Sequence, residues 1–431
     1  MGNIMPRKLF QAVVAAASVG LIATGCGVQT GTTAAGDSGK LTVWTHAGGA
    51  PKEIALLKTV IKDYNASQKK YTVDLKSFPQ ESYNGAVTAA ATSKKLPCIF
   101  DVDAPNVSAW AQSGFLRPLD LPKDLVAKNL PTTRGIYQDK LYSIGYFEAA
   151  LAIFAHKDAL TKAGVRIPTV EKPWTGEEFN AALAKLKSTG DFKYPFDLGT
   201  GDSGTEWWTY GYSPFLQSFG GDMIDRDGFK TAEGVLNGDA AKKWAAWFRG
   251  LVEKGYVPAK SSVDAFADFS NGKTAMVWTG IWNSTGLDKV KDGVPLPPPN
   301  FGNGPKIGGG SWQWGVSATC KQADAAMDYL AFSLNPKYLS KIAGDSGNVP
   351  ATNEAAEMTP GWQKGGAKRF FLDESAAFAE LRPATPGYPY LTSTFAKAAQ
   401  DIIAGGDADK ILDKAVADID TDLKANDYYG N

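Results

Sequence analysis

Between Lys40 and Val102 the hydrophobic pattern changes period repeatedly, from strand to helix and back, and this limits the fold more than any other feature. Lys40 to Thr45 (KLTVWT) reads as a short strand. Glu53 to Asn65 then carries Ile54, Leu57, Ile61 and Tyr64 at helical spacing. Tyr71 to Phe78 alternates as a strand, Ser82 to Ser93 reads as a helix, and Cys98 to Val102 as a buried strand running into acidic residues. Strand–helix–strand repetition implies parallel pairing and an α/β lobe. Ligands of such sheets sit beyond the carboxyl ends of the strands, where strand order reverses. Trp44 to Gly49, Phe78 to Tyr83 and Asp101 to Asn106 are therefore predicted along one rim.

At 431 residues the chain exceeds one ordinary domain of roughly 100–200 residues, so a second lobe is expected. Trp174 to Phe179 reads as a capping box, with Thr175 as cap, Glu178 reaching back, and Trp174 and Phe179 as the hydrophobic staple. Ala240 to Glu253 is a helix with Trp244, Trp247, Phe248 and Leu251 on one face. Gly293 to Gly310, rich in Pro and Gly, reads as a surface loop. Ala323 to Leu334 is helical, and Phe395 to Ala404 with Ala408 to Leu423 form a final helical pair.

The N-terminus has the marks of an export signal. Arg7 and Lys8 precede an apolar stretch from Gln11 to Ala23, too short for a stable bilayer anchor. It ends in Ala23-Thr24-Gly25-Cys26, which resembles a bacterial lipobox whose cysteine becomes the lipidated first residue. Residues 26–39 are small and polar, and such a tether reaches about 20 Å as a random coil. Removing residues 1–25 takes two positive charges and no acid, leaving a formal charge of −2. With no later apolar run long enough to span a bilayer, the body is expected to be soluble and only tethered.

Several chemistries find no support. Lys+Arg 45 against Asp+Glu 45 provides no basic excess for nucleic acid. The only histidines, His46 and His156, lie in no ligand-spaced cluster, so no metal is expected, and no cofactor. His156 ends an apolar strand and reads as structural; His46 stands on the predicted rim as a possible ligand contact. Gly308-Gly309-Gly310 lacks the lysine and helix of a phosphate loop, and no Gly-x-Ser-x-Gly elbow exists. Asp101, Asp103, Glu148, Asp202 and Glu206 could in principle supply the two carboxylates of a glycosidase. No pattern of eight strand–helix repeats holds them, and a carboxylate can equally accept hydrogen bonds from sugar hydroxyls. Binding is favoured.

The aromatic residues are the most informative. Glu206 to Tyr212 (EWWTYGY) packs four large rings with no clean amphipathic period. Trp278 to Asn283 ends a strand, Ser311-Trp312-Gln313-Trp314 follows the glycine triplet, and Arg382 to Tyr390 places two tyrosines in a proline-rich turn. Core packing claims Trp244 and Trp247 at their helical spacing. For aromatics beside glycines a ligand surface is favoured, because a sugar offers C–H groups on its face and hydroxyls at its edge.

Taken in order, these segments resemble the bacterial extracellular sugar-binding proteins of ABC importers, the broad family that includes maltose-binding protein. The markers are Ala111 to Leu116, Leu141 to Gly164, Trp174 to Phe179, Phe219 to Asp222, Phe269 to Trp282 and Gly347 to Ala351. The resemblance implies an α/β two-lobe periplasmic-binding-protein-like fold, with a hinge and a ligand cleft between lobes. One lobe is expected to comprise residues 40–143 and 315–352, and the other 144–314 and 353–431. Crossings are expected near Ser143 to Tyr146, near Ser311 to Gly315 and after Pro350.

The resemblance also implies site residues. These are Glu148 past the first crossing, Asp103 at the cleft end of the third strand, Trp208 and Tyr210 on an aromatic loop, and Trp282 as a stacking platform. Gly309 and Gly310 would let backbone approach the ligand, Arg382 would begin the last cleft loop, and His46 and Gly48 would belong to the first-strand loop. In the family the returning strand lies antiparallel beside the third, which would bring Cys98 and Cys320 together as a disulfide. The expectation is a monomeric oligosaccharide receptor, anchored through Cys26 at the outer face of the cytoplasmic membrane and serving the permease subunits of an importer. A secreted glycoside-acting enzyme using Glu148 with Asp103, and a receptor for a cation such as a polyamine, are the alternatives.

Overall fold

The computed structural model describes residues 39–201 and 204–430, so the signal peptide, Cys26, nearly all of the tether and Asp202 lie outside the described residues. The first strands are β1 (Lys40–Thr45), β2 (Thr72–Ser77), β3 (Ile99–Asp103), β4 (Arg134–Tyr137) and β5 (Lys140–Gly145). Next come β6 (Phe147–Glu148), β7 (Leu151–His156), β8 (Tyr194–Asp197), β9 (Thr274–Gly280) and β10 (Gly293–Leu296). The last are β11 (Ile307–Gly309), β12 (Trp312–Val316), β13 (Val349–Pro350) and β14 (Ala379–Leu381).

The first sheet has the order β2-β1-β3-β12-β5-β4. β1 runs parallel to both β2 and β3, with the helices Pro51–Ser67 and Gln80–Thr92 between them, as strand–helix alternation requires. β12 returns antiparallel between β3 and β5. Side-chain alternation puts Leu41, Val43 and Ile99 into the core on one face, and Phe100 and Val102 into that on the other. Helix Pro51–Ser67 buries Leu57, Ile61 and Tyr64 as expected, together with Leu56, Val60 and the acidic Glu53, while Ile54 stays half-buried. Cys98, just before β3, and Cys320, beyond β12, are joined in a disulfide with Cα atoms 4.7 Å apart. That is well inside the limit of about 7 Å for bridging without backbone movement.

The second sheet has the order β10-β7-β9-β8 and the larger core. Trp244 is fully buried there, stacked on Phe248 at 5.4 Å and on Phe395 at 5.7 Å. The capping box is present: Thr175 Oγ1 accepts the Glu178 N–H, and Glu178 Oε2 accepts the Thr175 N–H. Trp174 and Phe179 pack with ring centroids 5.9 Å apart. Between the sheets, β6 and β13 pair antiparallel as a two-stranded ribbon, Val349 opposite Glu148 and Pro350 opposite Phe147.

Three local expectations fail. Gly293 to Gly310 is no surface loop: it contains β10 and β11, and Pro297, Pro298 and Pro299 are buried. β10 is an edge strand, where Pro295 owes no N–H to a neighbour. Glu206 to Tyr212 is no loop either, but part of the helix Thr205–Ser218. Trp208, Tyr210, Tyr212 and Phe215 are all buried in it, and a helix covered on several sides shows no single apolar stripe. Tyr388 and Tyr390 open the helix Tyr388–Ile403, with Pro389 in its first turn, where a missing N–H costs nothing. No helix among the described residues is long and apolar enough to cross a membrane.

Candidate functional site

The predicted rim assembles at the carboxyl ends of β1, β2 and β3. The Gly48 N–H donates to the Phe78 carbonyl at 2.9 Å. The Tyr83 hydroxyl reaches the carbonyls of Asp101 at 3.0 Å and Trp44 at 3.3 Å. A Cβ at Gly48 would stand 2.5 Å from the Phe78 carbonyl oxygen, so a glycine here permits the close approach of the two backbones.

His46 is buried, and its ring is already engaged. Nδ1 lies 2.8 Å from Asp101 Oδ2, which also accepts the His46 backbone N–H at 3.2 Å. Nε2 lies 3.9 Å from Glu53 Oε1, the same oxygen that accepts the Tyr146 hydroxyl at 2.8 Å. The ring thus stands inside a protein network. Burial works against the imidazolium, but Glu53 and Asp101 together outweigh it and raise the His46 pKa. Burial likewise raises Glu53, against the pull of His46. Glu53 escaped sequence reasoning because an acid in a helix's first turn ordinarily faces solvent.

A second network lies between the two sheets. The Arg382 guanidinium holds Asp103 through both oxygens, Nη2 to Oδ1 at 2.7 Å and Nη1 to Oδ2 at 3.2 Å. Nη1 also donates to Glu206 Oε2 at 2.6 Å, which accepts the Tyr388 hydroxyl at 2.6 Å. Glu206 Oε1 accepts Thr392 Oγ1 at 3.1 Å. The guanidinium carbon stands 5.1 Å from the Tyr210 ring centre. Asp103 belongs to the first sheet, whereas Arg382 follows β14, the partner of β11, so this ion pair ties the first sheet to the β11–β14 ribbon. Burial disfavours the Arg382 charge, but Asp103 and Glu206 overcome it and raise its pKa; burial raises Glu206 against the pull of Arg382.

Glu148, in the ribbon between the sheets, is fully buried. Its Oε1 accepts the Ala149 N–H at 2.9 Å, while Oε2 has no hydrogen-bond partner among the described residues. Burial lifts its pKa to about 7, although Thr132, the backbone of Ala149 and Gly310, and Arg382 all favour the charged form. Tyr210 Oη, Ser311 Oγ, Asn106 Nδ2 and Arg382 Nε are also buried without partners. Such orphaned atoms are uncommon in a folded protein and mark places where water or ligand completes the bonding.

The glycines and tryptophans redistribute. A Cβ at Gly308 would come within 2.6 Å of the Tyr210 ring and carbonyl, at Gly309 within 3.1 Å of Ala379, and at Gly310 within 3.2 Å of Leu381. Gly310 also needs its left-handed φ of +80°. The room for a side chain at Gly309 and Gly310 is thus taken by β14 and its surroundings. Trp208 is buried against Tyr212 at 5.1 Å and belongs to the core. Trp282 is 43% exposed, 6.1 Å from Trp207 and 6.5 Å from Tyr210. A Cβ at Gly280 would strike its ring at 2.0 Å, so Gly280 lets the indole fold over the end of β9. Glu206, Trp207 and Tyr210, spaced three and four apart, share a helix face; Trp208 and Tyr212 share another. Recognising the helix would have separated the two sets.

His156 is structural, with Nδ1 2.8 Å from Asp292 and Nε2 3.0 Å from the Phe269 carbonyl. No cluster of three or more potential metal ligands occurs among the described residues. Asp103 is gripped through both oxygens by Arg382, a poor setting for the nucleophile of a glycosidase. The same guanidinium over Tyr210 would repel a polyamine.

Residues 59–369 match the family model described as bacterial extracellular solute-binding protein. The chain belongs to that family. A Brucella abortus (strain 2308) protein described provisionally as a binding protein is 26% identical over 341 residues, 73% of this chain and 77% of the relative. A Streptomyces antibioticus lipoprotein, uncharacterized and encoded in the oleD 5' region, is 23% identical over 79% of this chain and 77% of its own length. Among solved structures, the cyclic alpha-maltosyl-1,6-maltose binding protein of Arthrobacter globiformis superposes with TM-score 0.74 at 23% identity, covering 90% of this chain and 99% of that one. The GacH receptor of Streptomyces glaucescens, solved unliganded and with acarbose and an acarbose homolog, gives TM-score 0.75 at 21% identity, covering 91% and 99%. The fold of this family member is therefore the two-lobe α/β fold with a cleft between lobes.

Proposed function

We propose that this solute-binding protein captures a neutral oligosaccharide between its lobes and delivers it to the permease subunits of an ABC importer, without chemistry on the ligand. The observation carrying this reading is the set of buried, unpartnered polar atoms on Glu148, Tyr210, Ser311, Asn106 and Arg382, with the exposed Trp282 indole 6.5 Å from the Tyr210 ring. Sugar hydroxyls are matched donors and acceptors for such atoms, and a sugar's C–H face suits the indole. A neutral ligand fits because Asp103, Glu206 and Arg382 already neutralise one another in part. The sugar complexes named for several structural neighbours point the same way.

Residues 40–143 with 315–352 form one lobe in this reading, and 144–314 with 353–431 the other. Asp103, Glu148, Tyr210, Trp282 and Arg382 line the cleft, and the mature monomer is held at the outer face of the cytoplasmic membrane by a lipid on Cys26. The lipoprotein relative supports that anchor. A glycan array probed with the mature chain, followed by scattering of free and saturated protein, tests the proposal. Retention of a neutral glycan, unaltered on recovery, with compaction on binding is expected. Cleavage of the glycan, or binding without compaction, would overturn it.

A further inference from the structure

Trp312 opens β12 directly opposite Asp103 and stays partly exposed while Ser311 and Gln313 are buried. The His46 imidazole lies against its indole, with ring centres 3.8 Å apart and planes 7° from parallel. Tyr83 meets the indole edge-on at 5.4 Å. A neutral imidazole in that position contributes dispersion and burial, whereas an imidazolium adds attraction to the π face. The surroundings favour the cation. Asp101 and Glu53 stand at the two ring nitrogens, and among the described residues their ion pairs are with His46 alone. Asp103 adds a further negative field, itself offset by Arg382. The Tyr146 hydroxyl bonds to Glu53, and the Tyr83 hydroxyl to the Asp101 carbonyl.

We infer that His46 is a positioning residue: an imidazolium clasped between Asp101 and Glu53, it stacks on Trp312 and sets the plane of that indole at the rim of the cleft. The purpose of the platform rests on the carbohydrate reading, but the stack exists without sugar. Because the folded pKa of His46 lies above its ordinary 6.5, the stack is complete below that pH and weakens as pH rises through the folded value. The platform is pH-responsive.

The test uses the mature chain in sugar-free buffer, titrated from about pH 5 to 9, the range in which histidine changes charge. With only two histidines, ring-labelled protein resolves both by NMR, and His156→Gln assigns them. In parallel, the emission of Trp312 is isolated as the difference between the parent and Trp312→Phe. The expected result is a His46 midpoint above 6.5, with Trp312 emission quenched while His46 is charged and recovering at the same midpoint. His46→Gln should abolish that transition, and His156→Gln should preserve it. A His46 midpoint at or below 6.5, or a Trp312 transition that survives His46→Gln, would overturn the inference. Should His46→Gln not fold, agreement or disagreement of the two wild-type midpoints still decides. Failure of the glycan array would leave this outcome untouched.

Discussion

The helix Asp239–Glu253 and the cleft-facing side of the helix Thr205–Ser218 both carry tryptophans, and they use them in opposite ways. In the first, Trp244 is enclosed by stacked rings, and its polar content is a single indole N–H. In the second, Glu206, Trp207 and Tyr210 face carboxylates, a guanidinium and the exposed Trp282, and a phenol is left without a partner. A core holds few polar atoms because each unpaired one costs about 1–3 kcal/mol, and the buried Trp244 N–H, which has no partner, is one such cost. The proposed cleft keeps more of them, at a cost in stability that the bound sugar would offset by supplying the missing bonds. Aromatic content alone does not separate the two settings; the polar atoms around each ring do.

The strongest challenge to this contrast is Trp244→Ala. It should cost about 3–5 kcal/mol through the cavity it leaves, read as an earlier thermal melt, with ligand affinity intact while the protein stays folded. Arg382→Met leaves Asp103 and Glu206 buried without their cation and should cost a comparable 3–5 kcal/mol or so. Unlike Trp244→Ala, it should also expand the ligand-free protein in scattering if, as proposed, the pair joins the two lobes. An unchanged profile would remove that pair from the closure of the cleft.

Glu148 provides a smaller and pH-dependent effect. Its folded pKa is raised, so its contribution to stability is fully present below the ordinary 4.5 and declines as pH rises toward about 7. At 1.36 kcal/mol per pH unit the decline amounts to roughly 3 kcal/mol at most. Glu148→Gln should flatten that part of the melting-temperature profile, and an identical slope in both proteins would contradict the assignment. The smallest expected effect is Trp282→Ala, which should lose about 1–3 kcal/mol of sugar affinity, taking base–aromatic stacking as the guide. Its melting temperature should barely move, since 43% of the residue is exposed. Normal affinity with a much earlier melt would make Trp282 a core residue.

These contrasts also explain what could be read in advance. Strand–helix alternation, the capping box and the Trp244 stripe are local patterns, and local patterns survive in sequence. Trp282 was legible because a glycine at a strand end leaves room for a ring to fold back. The helix Thr205–Ser218 was not, because burial on several sides erases its periodicity. Glu53 and the engagement of His46 depend on partners at positions 101 and 146, brought together only by the order of the sheet. The side-chain space at Gly308, Gly309 and Gly310 belongs to residues from distant segments, which no local pattern shows.

The Cys98–Cys320 bond has a mechanical consequence. It closes a covalent ring over a sequence separation of 222 residues, and every strand of the second sheet lies inside that ring. A chain pulled from its two ends would transmit force across the sulfurs and leave the ring slack. About 750 Å of contour, at roughly 3.4 Å per residue, would stay withheld from extension until the bond was reduced. The second sheet would thus sit outside the line of tension, whereas the helices Tyr388–Ile403 and Ala408–Ala425, which complete its core, would stay within it.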